Sequence, residues 1–227
     1  MEMRLVGNIP YLITDEHCLL IDTGSPLSTS RKGYIKLKDR YCFLRRKVGP
    51  DTEPGLTGSD QDGVLGMDIL KDHSLMLDYE AWEAFIDPVK KGKAAFSAEL
   101  DMDLGVPRIK GKYRGVERKF ILDTGSMLSY IQTELAKGLP AWGWETSVHP
   151  IFGQFCSPWH RERVDFSGTG ISLRFATLPD YLEVPLRESG TAGVIGHEFL
   201  SLSRILLDFK QGRLEIFRGK KSTGSEN

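Results

Sequence analysis

The chain has 227 residues and 40% hydrophobic content, enough for one large domain or two small ones with cores of their own. Lys and Arg number 30 against 31 Asp and Glu, a formal net charge of −1. That balance argues against nucleic-acid and membrane-surface proteins, whose binding needs a concentrated basic field.

The opening segment MEMRLVGNIPYLITDEHCLLI carries early acids and no long apolar run, so it does not read as a signal peptide. No apolar stretch in the sequence approaches the ~20 residues of a membrane helix. Three cysteines, Cys18, Cys42 and Cys156, are an odd number at no regular spacing. The expectation is a soluble, cytoplasmic protein with reduced cysteines.

In chain order, CLLID (18–22) is the first strong signal, a short apolar run ending in a glycine turn, which predicts a buried strand. YIKLK (34–38) alternates and predicts a strand with one wet face. The basic stretch around it, RKGYIKLKDRYCFLRRK (31–47), reads as a solvated strand surface. KVGPDTEPGLTGSDQDG (47–63) reads as loop, MDILKD (67–72) as a helical turn, and SLMLDYEAWEAFI (74–86) as two strands. Charge, Pro and Gly cluster without periodicity in DPVKKGKAA (87–95), which sets a boundary between a first unit, 1–88, and a second, 89–218. In the second unit KFILD (119–123) predicts another buried strand and HEFLSL (197–202) another helical turn. RILLDFKQGRLEIF (204–217) reads as two strands around Gln-Gly. The polar tail GKKSTGSEN (219–227) is expected to be disordered.

Two words repeat along this path. IDTGSPLS (21–28) and LDTGSMLS (122–129) share Asp-Thr-Gly-Ser, a word expected by chance in roughly one chain in a thousand of this length. A second block follows each. Gly63, Val64, Gly66, Leu70, Leu77 and Asp78 recur as Gly193, Val194, Gly196, Leu200, Leu207 and Asp208. The offset is 101 at the first block and 130 at the second, so the second copy carries 29 more residues between its blocks. Two blocks in the same order predict a duplicated unit.

A carboxylate at the end of a buried strand, followed by Thr-Gly-Ser, has a definite chemical use. Glycine lets two such loops pack face to face without Cβ clashes. Thr23 and Thr124 are placed to hydrogen-bond across to the opposite loop, and Ser25 and Ser126 to donate to the carboxylates. Asp22 and Asp123 would then sit side by side. Adjacent carboxyls cannot both ionise cheaply, so they share a proton and titrate as a pair. One is a base for water and the other an acid for a carbonyl.

On Asp22-Thr23-Gly24-Ser25 with Val64-Leu65-Gly66, and Asp123-Thr124-Gly125-Ser126 with Val194-Ile195-Gly196, each unit resembles a lobe of the retropepsin/pepsin class of aspartic peptidases. The GVLGMDIL…LDY and GVIGHEFL…LDF blocks are similar to its bacterial and retroviral-like branch. The resemblance covers about residues 5–87 and 97–218. It implies an all-β, bilobal acid-protease fold, with two duplicated β-barrel-like lobes and short helices. It also implies an Asp22/Asp123 catalytic dyad supported by Thr23, Gly24, Ser25, Thr124, Gly125 and Ser126. The implied partner is an extended polypeptide substrate, and since both aspartates lie in one chain, a monomer suffices.

The extra residues of the second copy place the expected substrate-covering hairpin in PAWGWETSVHPIFGQFCSPWHRER (140–163). There Trp142, Trp144, Phe152 and Phe155 are candidates for an apolar subsite, with Gly153 available for a turn; core packing is the equal alternative. Hydroxyl donation from the two serines would favour ionised carboxyls and predicts an acidic optimum. No cofactor or metal is called for. Cys156, His160 and His149 have loosely metal-like spacing but no fourth ligand, and neither a dinucleotide nor a phosphate loop is spelled out. The competing reading is an inactive peptide-binding or scaffolding protein on the same fold. Two complete Asp-Thr-Gly-Ser words favour the enzyme.

Overall fold

Apolar runs bounded by Gly and Asp turns build almost the whole chain as strand. The structure is a computed structural model and describes residues 2–6, 8–37, 40–46, 61–90, 92–149 and 153–217. The first half begins with β1 (Glu2–Val6), β2 (Ile9–Ile13), β3 (Cys18–Ile21) and β4 (Thr29–Ser30). A hairpin of β5 (Tyr34–Leu37) and β6 (Arg40–Phe43) follows, then β7 (Arg45–Arg46) and β8 (Gly63–Leu65). The one-turn helix α1 (Met67–Leu70) leads into β9 (Ser74–Asp78) and β10 (Glu83–Ile86).

The second half opens with β11 (Phe96–Asp101), β12 (Arg108–Tyr113), β13 (Val116–Leu122) and β14 (Ser129–Ile131). After α2 (Thr133–Ala136) come the long strands β15 (Gly143–His149), β16 (Gly153–Phe166) and β17 (Thr169–Thr177). Helix α3 (Asp180–Glu188), β18 (Thr191–Ile195), α4 (His197–Leu200), β19 (Arg204–Asp208) and β20 (Arg213–Phe217) finish it. The protein is thus mostly β with a few short helices. Among the described residues no helix is long and apolar enough to cross a membrane. The predicted tail, 219–227, and most of the predicted loop 47–63 lie outside the described residues.

One local arrangement occurs in both halves. Strand β3 pairs parallel with β8, Leu20 opposite Val64, and β13 pairs parallel with β18, Ile121 opposite Val194. Strand β4 runs antiparallel to β8 and parallel to β7, just as β14 runs antiparallel to β18 and parallel to β17. A strand paired on both edges buries a continuous apolar run. Leu19 and Ile21 are accordingly sealed in β3, and Phe120 and Leu122 in β13.

The halves differ in closure. In the second, β12–β13–β18–β14–β17–β16 returns to β12 through the Lys112–Asp165 and Tyr113–Val164 pairs, a closed barrel. Phe120, Phe166 and Phe175 fill it. In the first half the described strands do not close into such a ring. Thr29 meets Arg45 after one short hairpin, whereas Tyr130, at the same place in the second half, meets Ala176. The additional residues of the second half therefore enter before Ala176, chiefly as the long β15 and β16.

A sheet in the order β1-β10-β9-β19-β20-β11 joins the halves. Its centre is the antiparallel β9–β19 pair, symmetric about Met76 opposite Leu206. Leu75, Leu77, Ile205 and Leu207 point from this pair into the main core, and none is exposed. The expected boundary at 88/89 falls in the connection between β10 and β11.

Candidate active site

Each Asp-Thr-Gly-Ser word begins where a buried strand ends. The Asp22 N–H donates to the Leu65 carbonyl at 3.0 Å, and the Asp123 N–H to Ile195 at 3.0 Å, so the neighbouring parallel strand fixes both aspartates. The second block sits directly behind. Met67 N–H donates to Ser25 O at 2.8 Å and His197 N–H to Ser126 O at 2.9 Å. Gly66 and Gly196 are required here, since a Cβ would lie 2.7 Å and 2.6 Å from those same serine carbonyls.

The two loops face each other. Thr124 N–H donates to Thr23 Oγ1 (3.0 Å) and Thr23 N–H to Thr124 Oγ1 (3.1 Å). In turn the Thr23 hydroxyl donates to Leu122 O (2.7 Å) and the Thr124 hydroxyl to Ile21 O (2.6 Å). All four bonds are buried. The glycines lie against the opposing carboxyls: a Cβ on Gly24 would sit 2.6 Å from Asp123 Cγ, and one on Gly125 2.8 Å from Asp22 Cγ. The structure thus brings Asp22, Thr23, Gly24, Asp123, Thr124 and Gly125 into one cluster.

The carboxyls hydrogen-bond to each other. Asp22 Oδ1 accepts from Gly24 N–H (2.9 Å) and Ser25 N–H (3.0 Å), and Asp123 Oδ1 from Gly125 N–H (2.8 Å). Burial of the Asp123 carboxyl pushes its pKa well above the ordinary carboxylate range. The charge of Asp22 and the bond between the two carboxyls push the same way, while the N–H groups of Gly125 and Gly24 oppose them. One proton is therefore retained between the two groups where an isolated aspartate would have lost it.

The serine expectation is corrected. Ser25 Oγ donates to Leu27 O (2.9 Å) and Ser126 Oγ to Leu128 O (2.7 Å), closing their own turns rather than reaching the carboxyls. A hydroxyl two residues before a free carbonyl bonds locally at little entropic cost. Backbone N–H groups donate to the carboxylates instead. The acidic optimum loses the basis on which it was expected.

Ser28 and Ser129, which end the two repeated words, have no part in the expected site, yet both are fully buried. Ser28 Oγ accepts from Gly66 N–H (2.8 Å) and Ser129 Oγ from Gly196 N–H (3.1 Å), pinning each loop to its second block. The shared Leu-Ser ending was the available signal. Tyr130 was also missed. Its hydroxyl lies 2.7 Å from Ser147 Oγ, its ring 6.2 Å from that of Phe155, and burial followed by the charge of Asp123 raises its pKa.

The segment 140–163 does form a hairpin, β15 against β16, with Gly143 opposite Trp159 and His149 opposite Gly153. Gly153 takes φ +78° at the start of β16, in the left-handed region that favours glycine. Alternation sets Ser147 and Phe155 on the face toward Tyr130 and Trp144 on the other. Of the proposed subsite, only Phe155 reaches that face among the described residues. Trp144 is 69% exposed, Trp142 stacks on Trp159 at the hairpin's base, and Phe152 lies outside the described residues. His160 Nδ1 lies 3.0 Å from the Pro140 carbonyl, and exposed Cys156 is on the outer face with Trp144.

No protein-family model matches the chain, and no curated protein matches it.

Proposed function

We propose that the protein is an aspartic endopeptidase that hydrolyses peptide bonds with water activated by Asp22 and Asp123. The observation that carries the reading is the hydrogen-bonded carboxyl pair, held by two threonine-locked loops with glycine on each flank. Such a pair holds one proton and one charge, which are the acid and the base that amide hydrolysis needs.

In this mechanism the ionised carboxyl takes a proton from water as its oxygen bonds to the scissile carbonyl carbon. The protonated carboxyl hydrogen-bonds the carbonyl oxygen as charge develops there. Collapse of the tetrahedral species breaks the C–N bond, and the nitrogen leaves with a proton from the dyad. The substrate is an extended polypeptide lying under the β15–β16 hairpin. Two lobes descended from one duplicated unit, working as a monomer in the cytoplasm, complete the proposal. The recurrence of the β3/β4/β8 arrangement as β13/β14/β18 supports the duplication.

The test is incubation of the protein with a proteome-derived peptide library across pH. Cleavage supports the peptidase. Tight binding of peptides with no cleavage at any pH replaces it with the peptide-binding reading.

A further inference from the structure

Strand β16 pairs with β17 only from Trp159 to Phe166. Beyond Trp159 its remaining residues, Gly153–Pro158, pair only with β15. This outer part is a two-stranded ribbon standing off the barrel, and such a ribbon is marginal by itself in water. Something must hold it at a defined height.

Among the described residues, the side-chain hydrogen bond from the ribbon to the barrel is Tyr130 to Ser147, at 2.7 Å. Ser147 is directly opposite Phe155 across the ribbon, and the Phe155 ring packs on Tyr130 as well. A polar and an apolar contact therefore meet one residue of β14 from the same cross-strand pair. Tyr130 follows Asp123 by seven positions, in the strand that leaves the Asp123 loop. The equivalent position in the first half is Thr29, whose short side chain carries no phenol with which to make such a reach.

We infer that Tyr130 is a positioning residue: its bond to Ser147 and its ring contact with Phe155 hold the β15–β16 ribbon over Asp123 so that a peptide is gripped beneath it. The gripping rests on the peptidase reading; the anchoring does not. A ribbon ordered before binding spares the substrate the cost of ordering it, so loosening it weakens apparent affinity in proportion to the anchored fraction lost.

The experiment compares Tyr130→Phe, Ser147→Ala, the double variant and Ser147→Thr. Amide hydrogen exchange is read over 143–149 and 153–158, and steady-state kinetics on a peptide the wild type cleaves. Either single change should speed ribbon exchange about five-fold, the worth of one hydrogen bond. The double variant should add nothing, because the bond is shared. Ser147→Thr should exchange like the wild type. KM should rise measurably, by at most that same five-fold factor, with kcat held within about two-fold. Unchanged exchange in Ser147→Ala, or additive effects in the double variant, overturns the anchoring. Faster exchange at unchanged KM overturns the grip. Absence of all hydrolysis by the wild type rejects the peptidase reading and the grip with it, while exchange still decides the anchoring.

Discussion

Thr23 and Thr124 each accept a hydrogen bond from the other's backbone N–H and donate one to the carbonyl preceding the other's aspartate. Neither loop is complete without its counterpart 101 residues away, so the site and the contact between the halves are one structure. Replacing Thr23 by Val keeps the shape and removes the hydroxyl. Thr124 N–H and Leu122 O are then buried unpaired, which should lower the unfolding free energy by about 2–4 kcal/mol. Urea denaturation of the variant should show a lower midpoint at unchanged slope.

Gly24 bears on geometry more than on stability. A Cβ there would lie 2.6 Å from Cγ, 2.6 Å from Oδ2 and 2.9 Å from Oδ1 of Asp123, so Gly24→Ala must push the Asp123 carboxyl out of line. A displacement of about 1 Å at reacting groups costs on the order of a hundred-fold in rate. Activity measurements on Gly24→Ala should show a loss of that size in kcat, and Gly125→Ala, pressed against Asp22, a similar one.

The raised pKa of Asp123 has a stability sign opposite to that of a salt-bridged aspartate. Below the ordinary value of 3.8 the group is protonated both folded and unfolded and contributes no pH dependence. As pH rises past that value the unfolded chain releases the proton while the folded chain keeps it, so folded stability falls until the folded pKa is reached. Asp123→Asn should therefore be more stable than wild type at neutral pH, by a margin that shrinks toward pH 3. Thermal denaturation of both proteins across pH reads this directly. In the proposed mechanism the same proton is the dyad's acid, so the alkaline limb of the pH–activity profile should lie well above the range of a free carboxyl. That also suits a neutral compartment better than an acidic optimum does.

How far the sequence reads depends on where each signal lives. The buried strands ending at Asp22 and Asp123 were legible because both edges are paired and the residues just before each aspartate are all apolar: Leu19, Leu20 and Ile21 in one, Phe120, Ile121 and Leu122 in the other. The cross-loop Thr bonds were legible because the repeated word places a short hydroxyl beside a glycine twice. The Ser25 and Ser126 hydroxyls were misassigned, since a local carbonyl two residues on competes with a carboxyl and spacing alone does not rank them. Helix α3 escaped notice because Pro185 sits inside it, although Pro179 and Asp180 mark its start and Gly190, at φ +65°, its stop. Trp142 and Trp144 stand out as large aromatics, but strand alternation, not residue type, decides which side chains share the face toward Tyr130; Phe155 has that parity and Trp144 does not. Tyr130 was illegible because its partner Ser147 comes from the hairpin and was fixed by folding alone.

The central claim is that Asp22 and Asp123 act as one catalytic unit. Its most direct test is the hydrolysis rate of Asp22→Asn and of Asp123→Asn, each alone, on a peptide that the wild type cleaves, with folding checked by circular dichroism. Each variant should lose at least about a thousand-fold in kcat, because an amide supplies neither the base nor the shared proton. Wild-type hydrolysis by either variant would contradict the dyad.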